Sequence, residues 1–170
     1  MSEHTLRRLS DLERRTEHDR VQSGTSAVIA ARAATGSGQS IPNATYTIVN
    51  YGTVTFDTHG RISVGTSWIF TALLPGYYQV SAAILFTLTT NWAAGEIGQL
   101  TLFKNGAVAS HLDRKDNFSG GVSQYMMLHG SDTTYLGNGE TINVRAYQDS
   151  GAALALIENA EFNYVSIVRL

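Results

Sequence analysis

The chain has 170 residues, 43% of them hydrophobic, with a formal net charge of −2 and no cysteine. That length fits one domain plus a short extension, and the apolar fraction excludes global disorder. The charge balance argues against a dedicated nucleic-acid binder, and the missing cysteine removes disulfides, zinc–thiolate sites and cysteine nucleophiles.

Charge is unevenly spread. Residues 1–20 carry five arginines and five acids, 10 of the 26 charged side chains. The segment predicts a helix. Ser2 caps it, and Glu3 sits in the first turn, where the macrodipole favours an anion. Leu6, Leu9 and Leu12 form a short apolar stripe at spacing three, which Glu13, Thr16 and Arg20 then interrupt. A helix this short is marginal alone. It needs its own copies or another protein as a partner, or else it is a solvated arm. Nothing in it resembles the apolar stretch of a secretory signal. With the absence of cysteine, that fits synthesis in a reducing cytoplasm.

Residues 22–43 read as a linker of small residues, with Gly36-Ser37-Gly38 as a hinge. From 44 onward the pattern is that of strands. Strand candidates cover 45–50, 51–56 and 68–70, with a turn at 57–60 and another at Leu74-Pro75-Gly76. Residues 77–90 form the longest candidate. One face carries Tyr78, Val80, Ala82, Ile84, Phe86 and Leu88, a period-two core face. Residues 62–95 are uncharged, but Pro75-Gly76 and scattered Ser, Thr, Gln and Asn argue against a membrane span. Strand 97–104 leads through Asn105-Gly106, a strong hairpin signal, into 107–112. A polar loop is expected over 111–119. Further strands are expected over 124–129, 141–147, 152–158 and 160–170, the last paired and central. The pattern is that of an antiparallel sandwich of about eight to ten strands.

Residues 125–128 are apolar on both strand faces, so one face needs a cover. A neighbouring subunit would supply it through Tyr125 and Met127, with Tyr77 and Leu85 of the long strand as further contacts. Loops or the arm are the alternative cover. No G-x-S-x-G elbow, phosphate loop or H-E-x-x-H motif is present, and the five histidines are dispersed. Asp113, Asp116 and Asn117 make a small oxygen-rich loop. Calcium needs six to eight oxygens, and Arg114 and Lys115 oppose it. Neither metal nor cofactor is expected. Trp92 either projects from a loop, able to stack on a sugar ring or anchor an interface, or folds back over the end of the sandwich.

Phe70, five residues, Gly76, one residue and Tyr78 spell F-x5-G-x-Y. This resembles the signature of the complement/tumour-necrosis-factor-like jelly rolls, although Val80 and Ala82 stand where that family has aromatics. Residues 102–106, 136–144 and 162–170 are also similar to it. The resemblance covers 44–170 and implies an all-β, antiparallel jelly-roll sandwich that assembles as a tight homotrimer. The domain organisation then reads 1–21 helical arm, 22–43 linker and 44–170 jelly roll.

Family members with collagen stalks are animal proteins. This chain begins instead with a charged arm, which resembles virion proteins of tailed bacteriophages. The expectation is a virion structural protein and not an enzyme, made in the bacterial host cytoplasm. It would be a trimeric capsid decoration, or cement, protein. Its arm would dock on the major capsid protein or another virion protein through Leu6, Leu9, Leu12 and the cations Arg7, Arg8, Arg14 and Arg15. Neither nucleic acid nor membrane is an expected partner. The alternative is a tail-fibre or spike tip for host attachment. There Trp92, Asp113, Asp116 and Tyr135 would meet a host receptor or glycan. A bacterial adhesion or signalling module of the same fold is a third reading. The short arm and linker favour decoration over a fibre, which carries a long shaft.

Overall fold

Alternation at period two makes each strand two-faced, and the fold buries one face of each against a second sheet. The computed structural model describes residues 28–35, 37–89, 92–117 and 124–170, so the expected helical arm lies outside the described residues. Among the described residues there are thirteen strands and no helix. The first six are β1 (Ala30–Ala34), β2 (Ser40–Ile41), β3 (Thr47–Ile48), β4 (Thr53–Asp57), β5 (Ile62–Ser63) and β6 (Ile69–Thr71). The long strands β7 (Gly76–Thr89), β8 (Ile97–Lys104), β9 (Ala107–Asp116) and β10 (Gln124–Leu136) follow. The chain closes with β11 (Thr141–Gln148), β12 (Leu154–Ala155) and β13 (Tyr164–Arg169).

Sheet I has the order β10-β7-β13-β1-β4, and sheet II the order β5-β6-β11-β8-β9, with β3 also on β11. A small third pair joins β12 to β2. All the paired strands are antiparallel. As expected of the last strand, β13 is central, between β7 and β1.

The long strand behaves as its pattern demands. Tyr78, Val80, Ala82, Ile84 and Phe86 are buried, whereas Leu88 near the strand end is exposed. The signature residues have visible jobs. Phe70 and Tyr78 are both fully buried and meet edge to face at 5.8 Å, and the Tyr78 hydroxyl donates to the Leu74 carbonyl. Gly76 has φ 156°, a conformation that other residues rarely adopt, and a Cβ there would lie 2.8 Å from Arg169 Nε and push that guanidinium aside. The hairpin signal is realised with φ 49° at Asn105 and 83° at Gly106, the two left-handed residues that a primed turn requires.

Several expected boundaries move. The segment read as a linker contains β1, which lies inside sheet I with Ala31 and Ala33 fully covered. Alanine has little strand preference, so the pairing with β13 and β4, not the local sequence, makes this a strand. The expected polar loop at 111–119 is mostly strand, because β9 runs to Asp116 along β8. The strand expected over 124–129 extends as β10 to Leu136, paired with β7 throughout. By contrast, only two residues each of 45–50 and 152–158 enter strands, β3 and β12.

Candidate functional site

The outward face of sheet I is the most distinctive surface of the molecule. Register places its side chains in rows across β10, β7, β13 and β1. One row runs His129, Ala83, Tyr164 and Ala34; the next runs Ser131, Ser81, Ser166 and Arg32; the third runs Thr133, Gln79, Val168 and Ala30. Beyond these lies the pair Tyr135 and Tyr77. Their rings meet edge to face at 5.5 Å, yet they stay 50% and 60% exposed. Leu170, whose N–H donates to the Tyr77 carbonyl, is exposed beside them, as is Val28 beyond β1. These rows carry no carboxylate. Their ionisable side chains are Arg32, His129 and the tyrosines.

The four residues expected at a subunit contact divide. Tyr77 and Tyr125 are exposed on this face, and Met127 is half-buried. Leu85 is only 8% exposed and so has little surface to offer. The chain beyond β12 runs alongside it: the Leu85 N–H donates to Asn163 Oδ1, and its carbonyl accepts from the Ile157 N–H.

The four residues expected in ligand loops do not converge. Trp92 is fully buried, its ring 5.7 Å from Phe86 at 80°, so it belongs to the core and is no surface platform. Asp113 and Asp116 lie on β9, not in a loop. Asp113 accepts the His129 N–H across the gap to β10, and Asp116 pairs with Arg114 at 3.1 Å. Tyr135 lies within β10. Among the described residues no cluster of His, Asp and Glu side chains is placed to hold a metal ion. The arm residues Leu6, Arg7, Arg8, Leu9, Leu12, Arg14 and Arg15 lie outside the described residues.

Two features escaped the sequence reading. A polar brace stands behind Tyr135. Lys104 Nζ donates to the Tyr135 carbonyl at 2.9 Å and pairs with Glu140 at 2.7 Å. Glu140 also accepts from the Gly137 N–H and from Asn105 Nδ2. The Lys104 hydrogen bond, with that of the Gly137 N–H, holds the Glu140 carboxyl below its ordinary range. The second feature is a hollow of about 220 Å³ at the centre of the face, lined by Ser81, Ala82, His129, Gly130, Ser131 and Tyr164. Each of these residues is unremarkable within its own strand. Only the register of three strands makes them neighbours.

Comparison with known proteins places the fold. No family model and no curated protein sequence matches the chain. Solved structures do match. The Eiger TNF of S. frugiperda superposes with a TM-score of 0.63 at 13% identity, over 84% of this chain and 92% of that one. Murine APRIL (crystallised at pH 5.0) gives 0.59 at 15% identity, over 85% and 100%. The globular domain of a zebrafish complement 1qA protein gives 0.55 at 13%, over 85% and 98%. The chain therefore has the TNF/C1q-like jelly-roll fold, as the F-x5-G-x-Y resemblance implied.

Proposed function

We propose that this chain is a non-catalytic assembly module that forms a homotrimer through the outward face of sheet I and decorates a bacteriophage capsid. The observation that carries self-association is the chemistry of that face. It has no carboxylate in its rows, small residues at its centre, and Tyr77, Tyr125, Tyr135, Val28 and Leu170 exposed around them. Aromatic rims around a small-residue centre suit a protein contact better than bulk water. A contact of about 1,600 Å² is standard for specific association. The fold likeness to TNF and C1q domains points the same way.

The virion role rests on the arm. Its five arginines and three leucines within 20 residues suit docking on another protein. Many copies on one shell would add avidity to a modest single contact. The fibre-tip alternative loses support, because Trp92, its main candidate for stacking on a sugar, is buried.

The test is cryo-electron microscopy of the intact particle suspected to carry this protein. Trimers at three-fold or quasi-three-fold positions, with residues 1–27 against the shell, are expected. Density on the tail, or none on the shell, would overturn the decoration role. Changing Arg7, Arg8, Arg14 and Arg15 together to Ala should reduce particle occupancy while the trimer persists in solution.

A further inference from the structure

We infer that the hollow at the centre of the sheet I face is a binding site for a small free oxyanion, a carboxylate or a phosphate. Its lining residues include Ser81, Ser131 and Tyr164, which carry hydroxyls, and His129, which carries an imidazole. Among the described residues, none of these polar groups has a hydrogen-bond partner within the chain. Gly130 lines it as well.

The charge distribution selects the ligand. Arg32 lies beside the hollow with neutral partners only. Its Nη1 donates to Ser166 Oγ at 2.7 Å, and its guanidinium stacks 4.2 Å above the Tyr164 ring. Among the described residues the ion pairs are Lys104–Glu140 and Arg114–Asp116, so Arg32 has no acid of its own. A half-buried cation without a counter-charge, next to a cluster of free donors, favours an anion. Asp113 reaches across from β9 and accepts the His129 backbone N–H, and Asp132, beside Ser131 in β10, accepts the Thr133 N–H. The lining itself has neither carboxylate nor carboxamide, so no fixed negative charge among these residues opposes an anion.

The site belongs to one chain and goes beyond the assembly reading. If copies pack on this face, each anion becomes enclosed between them and offsets the charge of its own chain's Arg32. Assembly would then tighten as the anion is added.

The experiment titrates the full chain with sodium phosphate and sodium acetate at constant ionic strength, with chloride as the balancing salt. Binding is read by calorimetry and by the rise in melting temperature, which a ligand of the native state produces. A saturable response beyond chloride is expected for at least one of the two anions. The apparent dissociation constant should weaken by about tenfold or more in Arg32→Gln, Ser131→Ala and Tyr164→Phe, each of which loses a charge or a donor. Ligand-free melting of each variant reports whether it folds, and any one folded variant decides the matter. No saturable response, or variants that respond as the wild type does, overturns the inference. Sedimentation of the same samples separates the two readings. A trimer that binds no anion removes the site alone, whereas a monomer that binds removes only the assembly.

Discussion

At Gly130 a Cβ would lie 2.1 Å from the Leu112 carbonyl oxygen, and that contact is with backbone that cannot swing aside. Glycine is required there because β9 and β10, edge strands of different sheets, approach each other at that point. Gly130→Ala should therefore cost about 1–3 kcal/mol, the range for forced overpacking, seen as a lower urea midpoint. An unchanged midpoint would mean that the strands part there easily. Trp92 poses a different question. Fully buried against Phe86, it should cost about 3–5 kcal/mol when cut to Ala. A Trp that served a ligand from the surface would cost far less, so denaturant unfolding of Trp92→Ala separates packing from recognition. Its residue type was plain in the sequence; its direction was not, because a loop aromatic points inward or outward according to what lies beneath it.

Among the elements, the connection between two hairpin turns matters most. The brace of Lys104, Glu140 and Asn105 ties the β8–β9 turn to the β10–β11 turn and holds the backbone of Tyr135. Because the native state lowers the Glu140 pKa, ionised Glu140 favours the fold. That contribution is present above the ordinary glutamate value of about 4.3. It is lost as pH falls through the lower folded value. Glu140 is only half-buried and its pair with Lys104 is open to solvent, so the effect is small. Urea midpoints of wild type and Glu140→Gln, taken from pH 7 down to pH 3, should draw together across that window. A gap that stays constant with pH would mean that the Lys104 pairing adds nothing to the fold. Edge strands such as β9 and β10 were also the elements least legible beforehand. Residues 129–135 of β10 are mostly polar, so their alternation carries no core signal, and only the ladder with β7 makes them strand.

For the whole molecule, the outward face of sheet I is where one chain would become three. Tyr77→Ser combined with Tyr135→Ser removes the aromatic pair at its rim while leaving the core face of β7 intact. An aromatic hot spot at an interface is worth about 2 kcal/mol or more, and such values are not additive within a contacting pair, so the double variant should weaken self-association by about thirtyfold at least. Sedimentation equilibrium would show the mass falling toward one chain at concentrations where the wild type stays assembled. Unfolding of the dissociated variant should remain cooperative. A variant that keeps the wild-type mass would place the contact on another face.

Local chemistry determined much of this protein from the sequence alone. Alternation over 77–88 set the inner face of β7, Asn105-Gly106 set a primed turn, and Phe70, Gly76 and Tyr78 marked the jelly roll. In each case the residues act on near neighbours, or through a side-chain period that one strand contains. The tertiary structure alone decided that Ala30–Ala34 is a strand, that Leu85 is covered and Trp92 turns inward, and that Ser81, Ser131, His129 and Tyr164 share one hollow. Those outcomes depend on register between strands tens of residues apart, such as Ser131 with Ser81 and Ser81 with Ser166. Pairing energy is spread over the whole ladder, so no single residue in the sequence announces who its neighbours will be.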